Sequence, residues 1–127
     1  MKTIVILISS VFIGLHTYAQ TATVTDENVL WIPAEPETNR FAISKPDMQK
    51  IAFVKSELGE IQSYKMSFKM GSLLYIKDME NTSFPEKAKE LFIQSGAGTV
   101  LYLELMIKDK NSGTMINNNY ELILGME

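Results

Sequence analysis

One histidine and no cysteine: those two counts decide most of the chemistry open to this sequence. The histidine, His16, falls inside an N-terminal stretch that reads as a targeting segment, so the rest of the chain offers neither an imidazole nor a thiolate. That removes Ser-His-Asp and Cys-His catalysis, nearly all zinc sites and thiol redox chemistry. No serine stands three residues ahead of a lysine, so the Ser/Lys acylation route has no motif either. Carboxylates are plentiful, with 15 Asp and Glu, and a pair of them is all that glycoside hydrolysis needs. A domain of about a hundred residues, however, has little room for both a core and a substrate cleft. The expectation is a protein that is not an enzyme, with no catalytic residues.

Three short clusters are candidates for binding. "KDMEN" sets Asp78, Glu80 and Asn81 close together, as oxygen ligands for a hard cation or as a solvated loop. "DKNSG" places Asp109, Asn111 and Gly113 like the start of a calcium loop. The sixth and twelfth positions are Thr114 and Tyr120, where glycine and a bidentate glutamate are required, so it reads as a hairpin turn. "GAG", at 96–98, comes after a helix and before a strand. A phosphate cradle needs the opposite order. No metal and no cofactor are therefore expected. Trp31, in "VLWIP", suits either a sugar-stacking platform, with Tyr64 or Tyr102, or the anchoring of a core edge. Binding is expected through a sheet edge or an end loop; the residues expected to touch a partner are Trp31 and, by exposure, the loop residues Glu80 and Asn81 and the turn residues Lys110 and Asn111.

The segment ahead of these elements directs where the chain goes. Met1-Lys2-Thr3 is a charged start, "IVILISSVFIGL" at 4–15 is an apolar core, and Thr17-Tyr18-Ala19 puts small residues at the −3 and −1 positions. The apolar run is shorter than the ~20 residues of a membrane span. Residues 1–19 are expected to be a signal peptide, cut between Ala19 and Gln20, and the protein to be exported, periplasmic or secreted. Loss of Lys2 takes the basic count from 12 to 11 against 15 acids, a net charge of −4. The basic residues are scattered singly, so nucleic acid is not an expected partner. No second apolar run occurs, so no stable membrane insertion is expected after signal removal. An exported chain without cysteine has no disulfides, and its 46% hydrophobic residues must supply the core.

Residues 20–127 read as a single β-rich domain. Residues 20–28 are polar and expected to fray. Short extended pieces are read in "VLWI", "RFAIS" and "KIAFVKS", the second ended by Lys45-Pro46. "IQSYKMSFKM" alternates strictly, with Tyr64, Met66, Phe68 and Met70 on one face and Ser63, Lys65, Ser67 and Lys69 on the other. Gly71-Ser72 is a candidate two-residue turn into "LLYIKD", which reads as a strand or as a loop edge. "VLYLELMIKD" aligns Leu101, Leu103, Leu105 and Ile107, and "YELILG" aligns Tyr120, Leu122 and Leu124. A single helix is expected at about 84–95. Ser83 and Glu86 would form its capping box, Pro85 sits in its first turn and Gly96 is its stop. Phe84, Ala88, Leu91, Phe92 and Ser95 fall on the inner face, with Glu86, Lys87, Lys89, Glu90 and Gln94 mainly outside. The fold class is mainly β: an antiparallel sheet or Ig-like β-sandwich of about seven short strands with one short crossing helix.

"IQSYKMSF", "ENTSFPEKAKELF", "SGAGTVLYLELMI" and the closing "YELIL" succeed one another in an order that resembles the C-terminal β-rich repeats of the periplasmic part of GldM, the gliding-motility protein of Bacteroidetes. The resemblance covers roughly 61–124, within a GldM-like segment taken as 61–125. The N-terminal strands at 28–60 lie outside it. GldM-type proteins carry a membrane helix, a helical bundle and stacked domains, whereas this chain is expected to have a cleavable signal and one such domain. The resemblance therefore implies a domain type: a non-catalytic protein-interaction module of the cell envelope, with an envelope or secreted protein as partner. The alternative from the residues is a secreted glycan-binding or inhibitor-like β domain.

Overall fold

The computed structural model describes residues 19–125, so most of the expected signal peptide, His16 included, lies outside the described residues. In chain order the elements are β1 (Gln20–Thr21), β2 (Thr23–Val24), β3 (Val29–Ile32), β4 (Arg40–Ile43), α1 (Lys45–Lys50), β5 (Phe53–Ser56), β6 (Gly59–Met70), β7 (Leu73–Met79), α2 (Glu86–Gln94), β8 (Val100–Asp109) and β9 (Met115–Leu124). The protein is mainly β, as the alternating patterns imply. The strands form one nine-stranded sheet in the order β1-β4-β9-β8-β6-β5-β3-β2, with β7 paired to β6 off that path. The sheet is not divided into a sandwich. It is mixed rather than purely antiparallel, since β1–β4, β3–β5 and β4–β9 pair parallel.

The alternation in β6, β8 and β9 builds the centre. Met66 lies across from Leu103 and Tyr64 across from Leu105. Leu103 in turn faces Tyr120, and Leu101 faces Leu122. All of these are buried, together with Phe41, Ile43, Leu30, Ile32 and Val54 from the shorter strands. A two-against-one irregularity in β6 between Ile61 and Ser63 adds bend to the sheet. α2 lies against this apolar face with Phe84, Ala88 and Phe92 buried, and the Phe92 ring meets Phe68 edge-on at 5.4 Å. Each large side chain so buried contributes about 1.5–3 kcal/mol. Gly59 starts β6 because nothing larger fits: a Cβ there would stand 2.0 Å from the Lys108 carbonyl oxygen.

The stretch expected to fray is instead structural. Gln20 pairs with Phe41 of β4, and Thr23 with Trp31 of β3. Ala22 between them is buried, and its N–H donates to the Ala42 carbonyl at 2.8 Å. One run, 20–24, thus touches both ends of the strand order and nearly closes the sheet. Its polar side chains hid this, because the backbone makes the connection.

The helices also depart from expectation. α1 falls where the chain reads as strand and link. Ser44 is its N-cap, its side chain accepting from the Asp47 N–H at 3.2 Å, with Pro46 in the first turn and Met48 buried. At six residues it is too short for helical periodicity to appear. α2 begins later than the capping box implies: Pro85 is the N-cap, with no side-chain cap. Ser83 is engaged elsewhere, its N–H and hydroxyl both donating to Asn81 Oδ1 while its backbone bridges Phe53. Lys89, read as outward, is buried. Its ammonium donates to the carbonyls of Gln49 (3.0 Å) and Ile51 (2.8 Å) at the end of α1, and it pairs with Glu86 at 3.3 Å. A cation at a helix C-terminus complements both the orphan carbonyls and the dipole. Gly96, with φ of 95°, stops α2 as expected.

Candidate interaction site

The residues selected from the sequence do not converge. Trp31 is half-buried on the outer face of β3, opposite Thr23 and Lys55. Glu80 and Asn81 are exposed in the loop from β7 to α2, where the Asn81 side chain organises Ser83. Lys110 and Asn111 are exposed in the β8–β9 turn. There the Asn111 N–H donates to Asp109 Oδ1 (2.7 Å) and the Lys110 N–H to the Leu58 carbonyl (3.0 Å). Among the described residues no hydrogen bond or ion pair joins these five to one another. Ala19 and Gln20, the expected cleavage pair, are half-buried, with Gln20 in β1. Tyr64 is removed from the ligand-platform reading. It is buried, its hydroxyl donates to the Ser83 carbonyl, and burial pushes its pKa well above the ordinary value near 10.

A different set of residues does converge, on the outer face of the sheet beside β7. Ser67 of β6 lies in register between Ile76 of β7 and Tyr102 of β8. Serine is small, so it floors a groove of about 400 Å³ with Leu74 and Ile76 on one wall and Tyr102 on the other. Leu74, Ile76 and Tyr102 are 59%, 55% and 51% exposed, a concentration of bare apolar surface on the two strands that flank β6. Further along β6, Lys65 lies between Asp78 and Glu104 in register, so charge of both signs borders the apolar strip.

β7 itself is an edge. Among the described residues it pairs with β6 alone. The Gly71–Ser72 turn has φ of 61° at the glycine, as a two-residue hairpin of the II′ kind requires, and joins Met70 to Leu73. Such a turn closes on a hydrogen-bonded pair, so residues 73, 75, 77 and 79 bond inward to β6. Leu74, Ile76 and Asp78 then aim their N–H and C=O groups away from the sheet. The other flank of β6 gives the same parity, since the Asp109 N–H bonds to the Thr114 carbonyl and the Lys110 N–H to Leu58. Edge strands are usually guarded by proline, a bulge, covering structure or charged side chains, of which β7 carries Lys77 and Asp78 toward its far end. β7 contains no proline and pairs in unbroken register from Leu73 to Met79.

Sequence reasoning read "LLYIKD" as a strand or a loop edge and left its exposure open, because a run apolar on both faces does not say what its neighbours cover. The two glycine-and-turn breaks that isolate the hairpin were the available signal. Among the described residues no group of histidine, cysteine, aspartate or glutamate is placed to hold a metal ion, and no helix is long and apolar enough to cross a membrane. Compared with family models, curated proteins and solved structures, the chain gives no match in any of the three.

Proposed function

We propose that the protein is an exported, non-enzymatic interaction module of the cell envelope, and that it engages a protein partner by strand addition at the free edge of β7. The observation that carries this reading is the seven-residue edge with outward backbone groups, set beside the apolar strip of Leu74, Ile76 and Tyr102. In strand addition the main chain supplies affinity and side-chain pockets on alternate residues supply selectivity, and both are present here. The GldM-like order of segments points to the same class of module, and the lack of histidine and cysteine beyond residue 16 leaves few reactive groups for any other. A photo-crosslinker placed at Leu74 in living cells is expected to give a defined protein adduct, absent when it is placed at Lys108 and lost in Ile76→Pro. Equal adducts from both positions would refute the assignment of the edge.

A second reading, a secreted glycan-binding or inhibitor-like domain, is favoured by the groove alone, where Tyr102 presents a ring between polar neighbours. Trp31 does not join it, since β6 and β5 separate β8 from β3. Glycan-array binding abolished by Tyr102→Ala and kept in Trp31→Ala would select this reading.

A further inference from the structure

We infer that the strand completing β7 is the β7 of a second copy of this chain, so that the protein assembles as a two-fold dimer through one continuous sheet. The inference rests on the reading of β7 as the interaction edge and names its occupant.

Two like strands side by side around a two-fold axis must run antiparallel, with the axis normal to the sheet, and residues opposite each other must lie on the same face. The axis therefore passes between one residue and its own image. Centring on Lys77 or Asp78 sets lysine against lysine or aspartate against aspartate. Centring on Leu74 or Tyr75 runs the pairing past Leu73 into the Gly71–Ser72 turn. Centring on Ile76 overlaps the whole of Leu73–Met79. It places Leu74 against Asp78, Tyr75 against Lys77 and Leu73 against Met79, so no like charges stand directly opposite, and the two Lys77 side chains lie diagonally across the axis.

The same register satisfies the backbone. Ile76 is one of the residues whose N–H and C=O aim outward, so the central pair Ile76/Ile76 and its neighbours Leu74/Asp78 are all of the hydrogen-bonded kind, giving about six new bonds. The side chains agree as well. Ile76, more than half exposed in the single chain, comes beside its own image on the outer face, and Leu74 lies diagonal to that image. Backbone parity and the absence of directly opposed like charges thus select one self-pairing, with Ile76 against its own image at its centre.

The test is hydrodynamic, on the protein as expressing cells deliver it. Sedimentation velocity over roughly 1–100 µM, a range that captures weak association, is expected to show a monomer–dimer equilibrium. Ile76→Pro removes an N–H that makes no bond within the single chain, and Ile76→Lys brings two ammonium groups together at the axis. Both are expected to raise the dimer Kd at least about tenfold while leaving far-UV circular dichroism unchanged. A wild-type protein that stays monomeric over that range, or a dimer that tolerates both substitutions, overturns the inference. A crosslinker at Leu74 separates this failure from that of the parent reading. An adduct of twice the chain mass supports the dimer. An adduct with a different protein overturns the dimer but keeps the edge, and no adduct overturns both.

Discussion

Replacing Lys89 by methionine keeps the length and apolar stem of the side chain and deletes only the ammonium, which makes it a direct test of how the two helices are held. The carbonyls of Gln49 and Ile51 lose a charged donor at 3.0 and 2.8 Å. A buried acceptor left unpaired costs about 1–3 kcal/mol. Here the Ile51 bond is buried and the Gln49 bond only partly so, so water recovers some of the second. The near-equal volume keeps any cavity contribution small. Relief of the ammonium's own desolvation offsets part of the loss. The expected net destabilisation is about 1–3 kcal/mol, a fall in Tm of roughly 4–12 °C for a chain of this size. Urea unfolding monitored by the fluorescence of Trp31, the sole tryptophan, measures it. Glu86→Gln is the control: its side chain is 74% exposed, and an exposed ion pair contributes at most about 1 kcal/mol. If Lys89→Met unfolds at the wild-type urea concentration, or if Glu86→Gln costs as much, the ammonium does not clamp the end of α1.

Three further outcomes are expected. Gly59→Ala forces a methyl group to within 2.0 Å of a backbone oxygen that cannot step aside. It should cost about 1–3 kcal/mol or more in chemical denaturation, and a neutral result would show that β6 and β8 separate easily there. A chain beginning at Thr25 lacks the run that touches both β3 and β4, and should lose about 3 kcal/mol or more of the ~5–15 kcal/mol typical of a domain. Retention of the full-length melting temperature would mean that closure contributes nothing. Because burial raises the pKa of Tyr64 in the folded protein, the unfolded chain gives up its phenol proton first, near pH 10. Stability is then complete below that pH and declines as pH climbs beyond it. Tyr120 shifts in the same direction, burial outweighing its hydrogen bond from Asn118. Tyr64→Phe should therefore flatten, without abolishing, the alkaline decline, and an identical slope in the variant would remove Tyr64 as its source.

What could be read in advance was what the local pattern records. Strict alternation in β6, β8 and β9 identified the strands, their inner faces and the turns between them, because a half-buried strand writes its burial into every second residue. Elements whose reason lies elsewhere were hidden. β1 and β2 are held by backbone bonds to strands far along the chain, and their threonines carry no alternation. The signature of α1 was present in Ser44, Pro46 and Asp47, but six residues leave no period to confirm it. Lys89 was assigned outward because lysine is usually solvated; its partners are carbonyls at the end of another helix, which no spacing within α2 could reveal. At the candidate site, β7 was legible as a strand, but whether an apolar strand is covered depends on what its neighbours leave open. That is why Leu74 and Ile76 emerged only from the fold.

The pairing of β4 with β9 has a consequence for how the chain reaches its final form. Arg40–Ile43 lies alongside residues 121–124, so a strand made early has no lateral neighbour on that flank until almost the last residue exists. Contacts so distant in sequence slow folding, and they tie the two halves into one cooperative unit. A nascent chain still short of β9 stays open at this seam, so the sheet completes only when residues 121–124 join Arg40–Ile43.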